Sequence, residues 1–172
     1  MNKEINIVYM DFDGCIADTP HHDFGKQQWS DYYGIPYPHI GWWGRLESMD
    51  PVAFNIKTHP EQHAEWIKYN ALGYKSYIHT SRQPKFEPLI AGILKNNNIN
   101  VDGILTVKGN ITKGERILLE VKSFIENGYV VKNVVFFDDR QKEIVTVEAV
   151  KEELNQLGVL IDIIKVESDA LD

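Results

Sequence analysis

With 172 residues, 43% of them hydrophobic and 25% charged, the chain has the proportions of one globular domain, not of a disordered or fibrous protein. Its formal net charge of −7 argues against non-specific binding to a nucleic-acid duplex, and its single cysteine, Cys15, excludes an intramolecular disulfide. No apolar run reaches the ~20 residues of a membrane helix. The opening Met1 to Ile5 lacks the pattern of a signal peptide, so a cytoplasmic location is the expectation.

Ile5 to Met10 is short, apolar and β-branched and stops at Asp11, which predicts a strand buried on both faces. A helix over Pro60 to Leu72, ended by Gly73, leads to a second strand over Tyr74 to His79. Pro84 to Asn97 reads as a helix, with Phe86, Leu89, Ile90, Ile93 and Leu94 at helical spacing. Ile99 to Val107 holds a short strand, and Thr112 is placed to cap a helix over Lys113 to Asn127. Asn133 to Phe137 is the clearest strand and runs into Asp138-Asp139. A helix over Gln141 to Leu157 and a strand over Val159 to Val166 follow, and the tail from Glu167 to Asp172 is expected to fray.

Strands that alternate with helices predict a three-layer α/β sandwich on a mainly parallel sheet, a single domain over residues 1–172. Residues 25–59 break the alternation. They are rich in aromatics, Pro and Gly, and read as a small cap with a short helix over Lys26 to Tyr33. Ligands of such sheets bind beyond the carboxyl ends of the strands. Asp11 and Asp13, Thr80 and Ser81, and Asp138 and Asp139 all fall at those ends. Gly14 permits the turn that lets both early carboxylates face one ligand.

The run Asp11-Phe12-Asp13-Gly14-Cys15-Ile16-Ala17-Asp18-Thr19 after an apolar strand resembles the first motif of the haloacid dehalogenase superfamily of phosphatases. Thr80-Ser81, Lys113 (with Lys108 the alternative) and Asp138-Asp139 follow in the family's order. The resemblance implies a Rossmann-like fold and Mg²⁺-dependent hydrolysis of a phosphomonoester. It implies Asp11 as nucleophile through an aspartyl-phosphate, Asp13 as acid and base, Thr80 on the phosphoryl oxygens and Lys113 as the screening cation. The implied Mg²⁺ ligands are Asp11, the Asp13 carbonyl and one of the late pair, Asp139 being expected to ligate directly and Asp138 to support it. Glu143, four residues after Asp139, is a candidate for the metal's outer shell or a solvated first-turn acid.

On the substrate side stand Gly14, Ser81 and Arg82, whose guanidinium suits a phosphate. Trp42 and Trp43 are candidates to stack on a base or to pack the cap. Asp138-Asp139-Arg140, Ser81-Arg82 and Thr112-Lys113 also resemble the phosphatase domains of polynucleotide kinase-phosphatases and RNA-repair proteins. The implied partner is a small phosphorylated molecule, with a nucleotide or nucleic-acid end as the alternative. A catalytically idle phosphate- or protein-binding domain on the same fold is the reading from another class. The six histidines lack zinc spacing, and neither a phosphate-binding P-loop nor a dinucleotide fingerprint occurs.

Overall fold

A computed structural model describes residues Lys3 to Glu167. The expected fraying of the tail falls, from Ser168 onward, outside the described residues, as do Met1 and Asn2. Five strands form one parallel sheet: β1 (Lys3–Met10), β2 (Lys75–His79), β3 (Gly103–Leu105), β4 (Tyr129–Asp138) and β5 (Leu160–Lys165), in the order β3-β2-β1-β4-β5. The helices are α1 (His22–Tyr33), α2 (Pro60–Ala71), α3 (Glu87–Asn96), α4 (Lys113–Glu126), α5 (Gln141–Glu148) and α6 (Lys151–Gln156).

The side-chain period of two divides the core. Val8 and Met10 of β1, with Val135 and Phe137 of β4, face a layer that includes Trp66, Phe86, Ile90 and the aromatics of the insertion. Ile7 and Tyr9, with Val134 and Phe136, face Ile117 and Val121 of α4, Ile144 of α5 and Leu154 of α6. That is the expected three-layer sandwich. The pairing of β1 with β4 shifts register between Ile5 and Asn6, so that Ile5 meets Val131 while Asn6 meets Asn133. The irregularity at Lys132 re-phases β4, which is why its true start at Tyr129 is hidden in the sequence.

Two expected helices differ. Pro84 to Phe86 is a 3-10 turn before α3. The helix after Asp139 breaks at Ala149 and Val150 into α5 and α6, letting both Val147 and Leu154 reach the core. The insertion leaves and rejoins the domain through a narrow stem. Asp18 N–H donates to the Lys57 carbonyl and His59 N–H to the Ile16 carbonyl, both at 2.9 Å. Within it lie α1 and a 3-10 turn at Leu46–Met49. Trp29, Trp42, Met49, Phe54 and Ile56 join the same apolar cluster as Phe12 and Ile16.

The strands run the same way throughout, but the order of addition reverses at β1, with β2 and β3 on one side and β4 and β5 on the other. Met10 is level with Ile78 on one side and with Phe137 on the other. Asp11 and Asp138 therefore emerge side by side at the switch point, where an α/β sheet opens a crevice for ligands.

His79 ends β2 fully buried between Tyr9 and Phe136. Burial first, then the positive charges of Lys113 and Arg116, holds its imidazole well below the usual histidine range. The unfolded chain therefore takes up a proton that the folded chain refuses, and His79 removes stability as pH falls below the ordinary value of about 6.5. Urea melts at pH 7.5 and 5.5 should show that loss in wild type and a smaller one in His79→Phe; equal losses would assign the effect to other groups.

Candidate active site

Phe12 is buried and the backbone turns back on it: Gly14, at φ 69°, donates to the Ala17 carbonyl at 3.1 Å, and Ala17 N–H donates to the Phe12 carbonyl at 2.9 Å. The left-handed conformation is the one Gly adopts without strain. Asp11 is anchored to β4 by its own N–H, which donates to the Phe137 carbonyl at 2.9 Å.

The centre is a buried ionic group. Lys113 Nζ donates to Asp11 Oδ1 at 2.9 Å and to Asp138 Oδ2 at 2.6 Å. Lys113 is delivered by the first turn of α4, fixed by a full capping box between Thr112 and Glu115. It is Lys113, not Lys108, that reaches the first carboxylate. Asp138 is spent on both oxygens, since its Oδ1 accepts from the Arg140 N–H at 2.9 Å. Asp139 Oδ1 is buried and has no partner. Asp11, Asp138 and Asp139 each bring an oxygen within 4.8 Å of the others.

The electrostatics follow from this crowding. Burial, opposed by Lys113 and reinforced by Asp138 and Asp139, pushes the Asp11 carboxyl well above the usual carboxylate range. Burial also raises Asp139, helped by the charge of Asp138 and opposed by the ammonium of Lys113. Burial disfavours the Lys113 ammonium, but Asp11 and Asp138 outweigh it and hold its pKa above the ordinary lysine value. One cation thus faces three carboxylates, and an unpartnered buried oxygen is left over. This donor set fits a hard divalent cation.

Asp13 belongs to a second ion pair. Its Oδ2 accepts from Arg82 Nε at 2.9 Å and its Oδ1 from Arg82 Nη2 at 2.7 Å, a bidentate fork, while Thr19 Oγ1 also donates to Oδ1 at 2.7 Å. Arg82 is itself buried and donates through Nη1 to the Trp43 carbonyl at 2.7 Å and to Ser48 Oγ at 2.6 Å. Its guanidinium lies between the Trp43 and Phe86 rings. In this structure Arg82 is thus committed to Asp13 and to the insertion. Ser48 had no signal in the sequence; it is an ordinary serine until the fold buries it. Thr80, 2% exposed, accepts from the Arg82 N–H at 3.1 Å, and Ser81 lies exposed beside it.

The two tryptophans separate. Trp42 is 3% exposed, donates its indole N–H to the Pro20 carbonyl and packs on Tyr37 and Phe54. It is a core residue, which corrects the expectation that it faces substrate. Trp43, 38% exposed, stays at the rim beside Arg82 and His21. Glu143 lies outside the carboxylate group, 4.0 Å from Lys142, and lines a crevice on the α4–α5 side.

No protein-family model matches the chain, and neither does any curated protein. Solved structures do match, and the fold they define is that of the haloacid dehalogenase-like hydrolases. A haloacid dehalogenase-like family hydrolase from Streptococcus pneumoniae superposes with a TM-score of 0.55 at 13% identity, covering 94% of each chain. A predicted phosphoglycolate phosphatase from Haemophilus somnus gives 0.57 at 12%, covering 91% of this chain and 84% of its own. The Pnkp1/Rnl/Hen1 RNA repair complex gives 0.53 at 15%, with 96% of this chain matched to 44% of that one. At these identities the likeness is one of fold. The expected Rossmann-like architecture is borne out.

Lys113 depends on how closely α4 lies on α5. A Cβ on Gly114 would run into the Thr146 carbonyl oxygen. Gly114→Ala should therefore destabilise the chain by about 1–3 kcal/mol, by overpacking against backbone. Urea denaturation reads this directly, and an unchanged midpoint would show that α4 and α5 can separate freely.

Proposed function

We propose that the chain is a Mg²⁺-dependent phosphomonoester hydrolase that works through an aspartyl-phosphate on Asp11. The observation that carries this reading is the buried group of Asp11, Lys113 and Asp138, with the unpartnered oxygen of Asp139 beside it. In a domain kept for packing alone, replacing such a group with apolar residues of similar volume is often neutral or stabilising, so packing gives no reason to keep it.

Asp11, the Asp13 carbonyl and Asp139 would hold the metal. Asp138 is left to fix Lys113 and the Arg140 turn. When bound, Mg²⁺ supplies positive charge that screens the ester and offsets the crowding of carboxylates. The Asp11 carboxylate attacks phosphorus in line, its oxygen–phosphorus bond forms and the bond to the leaving oxygen breaks. Asp13 gives that oxygen a proton, and the alcohol departs. A water then attacks the same phosphorus while the Asp13 carboxylate takes its proton, releasing phosphate and restoring Asp11. Thr80 and Lys113 hold the phosphoryl oxygens through both steps. Asp13 starts with both oxygens in the Arg82 fork, which fixes where its carboxylate stands beside the leaving group.

The substrate is proposed to be small and phosphorylated. A nucleotide or nucleic-acid end is the second reading, favoured by the half-exposed Trp43 at the rim. A panel of aryl phosphate, sugar phosphates, nucleotides and 3′- or 5′-phosphorylated oligonucleotides, with and without Mg²⁺, tests both. An idle domain would hydrolyse none of them.

Asp11→Asn keeps the shape and removes the nucleophile, so turnover should fall by roughly 10⁴-fold or more, with the fold retained. Asp139→Asn should raise the Mg²⁺ concentration for half-maximal rate more than Asp138→Asn does, since an amide oxygen is a poorer ligand for a hard cation. A larger shift for Asp138→Asn would reverse the assignment, and full rate in excess chelator would remove the metal.

Arg82 is proposed to position Asp13. Arg82→Gln should therefore slow hydrolysis of alkyl phosphates, whose leaving oxygen needs a proton, more than that of p-nitrophenyl phosphate. Equal loss on both substrates would mark Arg82 as merely structural.

A further inference from the structure

Beside the reaction centre, on the α4–α5 side of the sheet edge, lies a crevice of about 320 Å³. Thr80, Ser81 and Lys113 form the wall it shares with the candidate active site, while Asp11, Asp13 and Asp139 do not line it. Its other charged residues are Lys108, Arg116 and Lys142, against the single acid Glu143. For a chain with a net charge of −7, this is a local excess of positive charge. Lys113 is already neutralised by Asp11 and Asp138, but Lys108 and Arg116 have no acidic partner within salt-bridge distance among the described residues.

Two buried nitrogens of this crevice's lining residues lack any hydrogen-bond partner. One is Nδ1 of His79, a residue 1% exposed, and the other is Nη1 of Arg116. The Arg116 nitrogen is always a donor, and a buried donor left unpaired is expensive, so it calls for an acceptor. The acceptor that suits a guanidinium and nearby lysines is an oxyanion. The first turn of α4, whose cap residue Thr112 lines the same space, favours negative charge there.

We infer that this crevice binds a second anionic group of the substrate, so that the preferred substrate is a small phosphomonoester carrying a carboxylate or a second phosphate. The inference rests on the phosphatase reading above and deepens it. The shared wall of Thr80, Ser81 and Lys113 puts the two anions within the span of one short molecule.

The test compares propyl phosphate, 3-phosphooxypropanoate and 1,3-propanediol bisphosphate. In wild type at least one of the two doubly charged compounds should show a KM about tenfold below that of propyl phosphate, as expected for one new charge-assisted contact. Which of them does so identifies the second group as carboxylate or phosphate. In Arg116→Gln, and separately in the surface double variant Lys108→Gln/Lys142→Gln, that ratio should shrink to about threefold or less. Equal KM values in wild type, or a ratio that survives both variants, overturns the inference and leaves the crevice to solvent. Calorimetric titration of the Asp11→Asn chain with the same three compounds reads the subsite without turnover. A preference for a doubly charged compound there, in a protein whose parent hydrolyses nothing, would uphold the anion site while the phosphatase reading fails. No preference there, in a protein whose parent is active, would do the reverse.

Discussion

The structure is organised around an imbalance of buried charge at the switch point of the sheet. Three carboxylates, Asp11, Asp138 and Asp139, converge where β1 and β4 end, and a single ammonium, Lys113, answers them. Desolvated like charges this close cannot all remain ionised without further compensation. Every nearby element bears on the imbalance. The β1–β4 register sets the two aspartates level, the capping box on α4 fixes where Lys113 enters, and the close approach of Gly114 to Thr146 holds α4 against α5. The partnerless oxygen on Asp139 is the place where compensation is incomplete.

A second ion pair ties the insertion to this centre. Arg82 spans Asp13, Ser48 and the Trp43 carbonyl, so one buried guanidinium joins the loop after β2, the turn after β1 and the excursion over residues 25–59. A change in how the insertion sits must therefore change what Asp13 can reach. This coupling is local and electrostatic, and it requires no large movement of the domain. Trp43 contributes its backbone and its ring face to the same residue, whereas Trp42 is consumed by the core.

Much of this was legible in the sequence because it depends on local rules. An apolar β-branched run that stops at an acid announces β1, and Thr112 followed by Glu115 announces the start of α4. Strands that end in oxygen-bearing side chains bring Asp11, Thr80 and Asp138 to one edge of the sheet, and each of those ends is visible in the sequence. What stayed hidden depends on contacts distant in the chain. The irregularity at Lys132 shifts the alternation of β4, and the break at Ala149 and Val150 serves the packing of Val147 and Leu154. Adjacent tryptophans look equivalent in a sequence, and only the fold decides which of them is buried. Ser48 and the unpaired nitrogens of His79 and Arg116 carry no local signal at all.

The charges also bear on whether this site acts or merely persists. Burying an ion costs several kcal/mol, and replacing a buried ionic cluster by apolar residues of similar volume is often neutral or stabilising. The present chain keeps its ions in a part of the sheet where apolar residues would pack well, with Phe137 and Met10 one step behind. It further keeps them unevenly paired, which no packing argument favours. An arrangement made for stability would match each carboxylate with a donor, as Asp138 is matched. Asp139 is not matched, and Asp13 is held just outside the group by a residue that also holds the insertion. Sites that break local rules without a gain in packing are where function is to be sought. The incomplete pairing is thus the physical argument for the proposed cation and substrate, and the basic crevice beside them is the argument for the proposed second anionic group.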